Sequence, residues 1–361
     1  MKKLIFTITA LSLLIALSVG LMVRAQTQRT TNTQSWQSTQ EQSSNRQSTE
    51  TQSASYRISG PYTHKNLTIF LIHGKDLVTD HSFITLQQAL AQKKVIVYET
   101  KDVNELAIQN LSNQDIYVQS GDIVRGGDQD RMFSTDFIVP PKSGKLPIAA
   151  FCVEAGRWNK RGNEVNASFV SSENSVATKE IKLAAKGLNS QQAVWENVSL
   201  TQDKLSRNLG TTVNSTVSPS SIELTVENAK VKETTSGYIN HLSGIVKDKS
   251  DVIGYVFAIN GQVNSADVYA SRALFLKLWP KLLKASAVEA IAGIEENQKP
   301  MTVEEGTIRG FLADSEKPDA AEKSVTTRVK LVTREDERGI FFETRDQQKK
   351  DAWIHRNYIK K

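Results

Sequence analysis

Cysteine is almost absent: Cys152 is the only one in 361 residues. An internal disulfide is therefore excluded, and the fold has to hold by packing. A nucleophilic thiol needs a base beside it, usually a histidine. The five histidines, His64, His73, His81, His241 and His355, are all distant in sequence from Cys152. Cys152 sits inside an apolar run and reads as a small buried hydrophobe. Gly-x-x-x-x-Gly-Lys-Ser/Thr spacing is missing, so Gly126-Gly127 is not a phosphate loop. No Gly-x-Ser-x-Gly elbow accompanies His73-Gly74, so the oxyanion-hole reading of that turn has no nucleophile to serve. A basic stripe is missing as well, and nucleic acid is not an expected partner. Formal charge is +6, but Lys2, Lys3 and Arg24 belong to a leader without acids. Setting Met1 to Ala25 aside leaves 42 basic and 39 acidic residues, a balance of +3.

One long apolar run is present, Leu4 to Val23, behind Lys2-Lys3 and ahead of Val23-Arg24-Ala25. That is the pattern of a secretory signal peptide. At about 1.5 Å per residue the run is also long enough to cross a bilayer, so an uncleaved anchor is the alternative. Either way the remainder of the chain is expected outside the cytoplasm, periplasmic or secreted, with membrane contact only through residues 1–25 if they are retained. In Gln26 to Ser55, 22 of 30 residues are Ser, Thr or Gln. Such a segment cannot bury enough apolar surface to order itself, and it reads as a tether with a reach of roughly 30 Å.

Residues 56–300 read as one globular α+β domain, with a mainly-β N-terminal half packed with a helical half that contains one β-hairpin. Strands are expected at Leu67–Ile72, Val95–Tyr98, Glu105–Asn110, Ile116–Val118, Phe137–Val139 and Ile148–Val153, with a four-residue turn at Leu111–Gln114 and a helix over Asp80–Gln92. Ser190 and Ser271 are placed to cap helices. A weaker helical stretch spans Pro219–Gly244, and Pro280 is expected to kink or split the helix after Ser271. Asn260-Gly261 between two β runs is a strong hairpin signal. Residues 301–361 read as a charged extension packed on the domain, with a strand at Ile340–Phe342. A faint repetition relates Tyr117-Val118…Gly121…Asp128 to Tyr255-Val256…Gly261…Asp267.

The densest polar cluster is Gly121 to Arg131, and a second, Cys152 to Trp158, follows a strand. Three chemistries fit. Asp128, Asp130 and Glu154 could work as acid, base or nucleophile on a glycosidic bond. With Glu99 they could hold a divalent cation through oxygen ligands. Arg131 and Arg157 could clamp an anion while Trp158 stacks on a ring and Gly126, Gly127 and Gln129 line the approach. The bland alternative is that acids and arginines pair with one another to fix a turn.

These runs, together with Gly254…Asn260-Gly261…Asp267 and the Phe275/Trp279 helix, resemble the ARG and rhodanese-phosphatase-superfamily-associated protein domain over roughly Gly60 to Ala290. The resemblance implies the fold and a candidate site. Through the family's gene association with ADP-ribosylglycohydrolases it suggests ADP-ribose-like or phosphorylated-sugar ligands. Three functions stay open: a binding module for a small anionic or sugar-like ligand, a carboxylate-based hydrolase, and an envelope structural or interaction protein.

Overall fold

The structure, a computed structural model, describes residues 52–158, 169–171, 177–295 and 302–361. The leader and nearly all of the Ser/Thr/Gln tether lie outside the described residues. Among the described residues no helix is long and apolar enough to cross a membrane. The last tether residues, Gln52–Ser55, form a 3-10 turn in which the Ser53 backbone amide donates to Glu316 Oε2 at 3.3 Å.

The domain is an α+β fold organised by an eight-stranded antiparallel sheet. Its strand order is Arg57–His64, Leu67–His73, Val252–Ile259, Gln262–Tyr269, Ala352–Lys360, Gly339–Asp346, Val329–Glu335 and Ala320–Ser324. The chain thus brings two strands from its start, a hairpin from its middle and four strands from its end into one layer. The Asn260-Gly261 hairpin forms as the sequence predicts. Both residues have positive φ, 54° and 76°, as a type I′ turn requires. It forms the centre of the sheet. The last sixty residues likewise supply integral strands, and Ala352–Lys360 lies between the hairpin and Gly339–Asp346.

Leu67–His73 is buried at every position because the sheet is covered on both faces. Leu67, Ile69, Leu71, Tyr255 and Phe257 meet helices Ala229–Leu242 and Arg272–Ala292. Phe70, Ile72, Val256 and Tyr358 meet helix Glu305–Ser315 through Ile308 and Leu312. Phe275, Leu278 and Leu282 in the long helix are almost fully buried, each contributing about 2 kcal/mol from burial. Pro280 neither ends nor splits that helix, which runs unbroken from Arg272 to Ala292. Pro280 is on the exposed side, so the carbonyl it leaves without a donor is not trapped in the core.

A six-stranded sheet takes Val170–Ser171, Ile123–Arg125, Arg131–Phe133, Leu146–Cys152, Glu105–Asn110 and Val95–Glu99. A small sheet pairs Ile84–Thr85, Ile116–Val118 and Phe137–Val139. Leu111–Gln114 therefore turns the chain from one sheet to another and does not close a hairpin. The helix expected over Asp80–Gln92 is shorter, Leu86–Ala91, because Ile84–Thr85 pairs as a strand and Thr85 caps the helix with Gln88 in a capping box. Ser190 caps Gln191–Leu209 and Ser271 caps Arg272–Ala292. The weak helical stretch resolves into Ile222–Glu227 and Ala229–Leu242.

Candidate functional site

Most of the residues singled out from the sequence do meet in space. Val153 and Glu154 continue the strand Leu146–Cys152, beside the turn that leads to Arg131–Phe133. Both Asp130 and Glu154 are fully buried. Arg157 Nη2 lies 2.7 Å from Glu154 Oε2 and 3.5 Å from Asp130 Oδ1, while its Nη1 donates to the Gly127 carbonyl at 3.1 Å. Ser218 donates to Glu154 Oε1, and Ser221 Oγ donates to Asp130 Oδ2 at 3.2 Å. The Gly126 amide donates to Asp130 Oδ1 at 3.1 Å, and the Asp130 amide to Glu154 Oε2 at 3.2 Å. Gln129 Nε2 donates to the Glu154 carbonyl at 3.0 Å. Arg131 ties to Glu99 at 3.4 Å and to the Val103 carbonyl, and Glu99 Oε1 accepts the Asp128 amide at 3.0 Å. Gly127 is required where it stands: φ is +54°, and a Cβ there would run into Glu99 and come within 2.6 Å of Phe169 Cζ.

In this geometry the acids and arginines pair with one another around the turn. The Asp130 and Glu154 carboxylates meet on one guanidinium instead of facing each other across open space. Burial opposes ionisation of Glu154, but hydrogen bonds from Arg157 and Ser218 hold it below the usual carboxylate range, so it is not poised to give up a proton. Asp128 and Trp158 stand apart from the pair, both exposed. Among the described residues no three His, Cys, Asp or Glu side chains are grouped to hold a metal ion. Cys152 is buried with its thiol pushed up to about 11 by desolvation, and Gln191 pairs with its backbone amide and carbonyl at 2.8 Å each. His73 is held between Ser59 and Asp251, at 2.6 and 2.7 Å, as a structural residue.

A different polar face is assembled on the side of the large sheet that meets helices Ala229–Leu242 and Arg272–Ala292. Strand register aligns Tyr255, Asp267 and Asn357 in one rung, and Tyr269, His355 and Thr344 in the next. Asp267 Oδ1 accepts from His355 Nε2 at 3.0 Å and from Asn357 Nδ2 at 2.9 Å. Asp136 Oδ2 accepts from His355 Nδ1 at 2.9 Å and from Thr344 Oγ1 at 2.6 Å. With carboxylates on both ring nitrogens, both must donate, so His355 is an imidazolium. Burial works against that charge, but Asp136 and Asp267 raise its pKa regardless. The ring stacks on Tyr269 at 4.4 Å. Lys186 reaches the same face, its Nζ 4.1 Å over the Phe342 ring, and burial lowers its pKa.

At the edge of this face lies a cavity of about 180 Å³. Its lining includes Lys179, Thr201, Lys204, Asn260, Asn264 and Glu289. Asn264 reaches it through a β-bulge. Phe257 pairs with Ser265 and Ala258 with Val263, leaving Asn264 as the extra residue. Bulges re-aim side chains in this way. Asn264 Nδ2 lies 3.1 Å from Glu289 Oε2, and the Lys179 amide donates to Glu289 Oε1 at 3.0 Å. Burial, helped by the charge of Glu180, pushes the Glu289 carboxyl up to about 8, so at neutral pH it is mostly a carboxylic acid. Asn264 Oδ1 is buried without a partner, and at 8% exposure the side chain has little water to turn to. Sequence reasoning missed Glu289, Asn264, Asp136, Lys186 and the role of His355. Asp267 and Tyr255 it met as repeat positions, and Asp267 also within the run that carries the family resemblance.

A family model for the ARG and Rhodanese-Phosphatase-superfamily-associated Protein domain (ARPP-1) matches residues 55–359. The chain belongs to this family. The match extends the resemblance read over Gly60–Ala290 through the C-terminal strands, so His355 and Asn357 belong to the ARPP-1 domain as much as Asp130 and Glu154 do. No curated protein and no solved structure matches the chain.

Proposed function

We propose that this ARPP-1 domain is a binding module for a small, sugar-like or anionic ligand, seated in the cavity over Glu289. The observation that carries the reading is Glu289 itself: a buried carboxyl, neutral at physiological pH, facing a cavity lined by Lys179 and Lys204 together with Glu180 and Glu295. A perturbed acid in a concave site is the ordinary signature of a ligand pocket. The lining supports hydroxyl recognition, since a protonated acid and an amide together offer both donors and acceptors. Size supports a single ring: 180 Å³ is close to the roughly 150 Å³ of an engineered cavity that takes benzene, far short of a dinucleotide. The Asp130–Glu154–Arg157 cluster then serves to hold the neighbouring turn. We place the binding outside the cytoplasm on the strength of Lys2-Lys3 and the apolar run behind them.

The test is a thermal-shift titration of the full chain with neutral monosaccharides and sugar acids, beside Glu289→Ala. A ligand that binds only the folded state raises the melting temperature by mass action. The reading expects such a rise in the parent protein and none in Glu289→Ala. A rise of equal size in both would place the ligand elsewhere.

A further inference from the structure

One buried polar atom in the lining of the Glu289 cavity is left unmatched by the protein, and it narrows the choice of ligand. We infer that the cavity takes a neutral polyol ring, and that Asn264 selects it by accepting a hydrogen bond from one ring hydroxyl. This rests on the cavity reading above and decides between its sugar-like and anionic forms.

Asn264 and Glu289 both line the cavity directly. Asn264 is the extra residue of the bulge, and its side chain is 8% exposed. Its Nδ2 is committed to Glu289 Oε2 at 3.1 Å, which leaves Oδ1 buried without a partner. Oδ1 can only accept, and buried acceptors are rarely left unmatched. This corner of the cavity therefore asks for a donor on the ligand. Both Glu289 oxygens already accept, one from Asn264 and the other from the Lys179 amide. The carboxyl proton, kept on at neutral pH by burial, is what Glu289 adds as a donor. A hydroxyl answers both neighbours through a single atom, since it donates and accepts together. A carboxylate or phosphate oxygen only accepts and would leave Oδ1 unmatched. An ammonium only donates and would leave the acid proton unmatched. The charges in the lining agree. Lys179 and Lys204 are offset by Glu180 and Glu295, and Lys179 Nζ lies 4.0 Å from Glu180 Oε1, so an anion meets no surplus of positive charge. Ile259 and Val263 add apolar lining suited to the C–H face of a ring.

The experiment is calorimetric titration of the full chain, near neutral pH, with a panel of neutral hexoses, each beside its matched uronic acid and its matched amino sugar. At least one neutral hexose is expected to saturate, with a Kd about tenfold or more below those of its two charged counterparts. Asn264→Leu keeps a similar side-chain size and removes the acceptor, and its Kd for that hexose is expected to rise about tenfold or more. A charged counterpart that binds as tightly as the neutral sugar overturns the proposal. So does an unchanged Kd in Asn264→Leu. Should Asn264→Leu fail to fold, the ranking of the three sugars in the parent protein decides alone. The cavity reading is judged separately. A uronic acid that outbinds its hexose and loses that binding in Glu289→Ala upholds the cavity and refutes the polyol. No saturable binding by any sugar of the panel overturns both.

Discussion

Replacing Glu289 by glutamine keeps the shape of the side chain and removes its proton equilibrium. In the folded chain the carboxyl ionises at about 8, against 4.5 for an ordinary glutamate. The folded state therefore holds the proton more tightly than the unfolded state does. The stability this confers is fully present below pH 4.5 and is lost as pH rises through 8. Each pH unit inside that window is worth about 1.4 kcal/mol. Between pH 6 and pH 9 only the stretch up to 8 counts, so the parent protein is expected to lose about 3 kcal/mol through this one group. Glu289→Gln loses none of it. Its amide can still accept from the Lys179 backbone and can donate to Asn264 Oδ1, which is otherwise unmatched. Urea unfolding of both proteins at pH 6, 7, 8 and 9 isolates the effect, because every other titrating group is common to both. The stability difference, variant minus parent, is expected to grow by about 3 kcal/mol across the series. A difference that stays flat with pH would show that Glu289 ionises like an exposed acid, and the cavity would lose its central feature.

Other outcomes follow from the same contacts. Arg157→Ala leaves the buried Glu154 and Asp130 carboxylates without their shared cation and is expected to cost about 3–5 kcal/mol in chemical denaturation. His355→Ala removes the cation hydrogen-bonded to both Asp136 and Asp267 in the core and should cost a similar amount, about 3–5 kcal/mol. Because the folded His355 pKa is raised above 6.5, its contribution is complete below that pH and fades as pH rises through the folded value; His355→Gln is expected to flatten that part of the stability profile. Gly127→Ala forces a side chain into positive φ against Glu99 and Phe169, expected to cost at least about 1–3 kcal/mol by thermal or urea unfolding. Cys152, with its thiol near 11, is expected to resist a disulfide-exchange reagent in the native protein and react fully once the chain is unfolded.

What the sequence made legible was local. Asn260-Gly261 specified its turn, and Ser190 and Ser271 marked helix starts, because turn and cap chemistry act over a few residues. Which strands neighbour which is a long-range matter, so the hairpin's central place and the return of Ala352–Lys360 beside it could not be read off. That last strand was hidden for a physical reason. His355 and Asn357 look like surface residues, but they complete a buried polar rung with Asp267. The cluster around Asp130 stood out through charge density, and charge density is also what self-pairing turns produce. Glu289 was the opposite case, the single charge in the run Ala285–Ile291, whose meaning depends on Asn264, and Asn264 reaches it only because of a bulge.

The central claim is that ligand sits over Glu289, away from the Asp130–Glu154–Arg157 turn. Hydrogen–deuterium exchange read by mass spectrometry, with and without the ligand found by thermal shift, tests it most directly. The account predicts added protection in peptides covering 178–182, 259–264 and 289–293, with little change at 126–131 and 154–157. Protection confined to 126–131 and 154–157 would contradict it and return the site to the acid–arginine cluster.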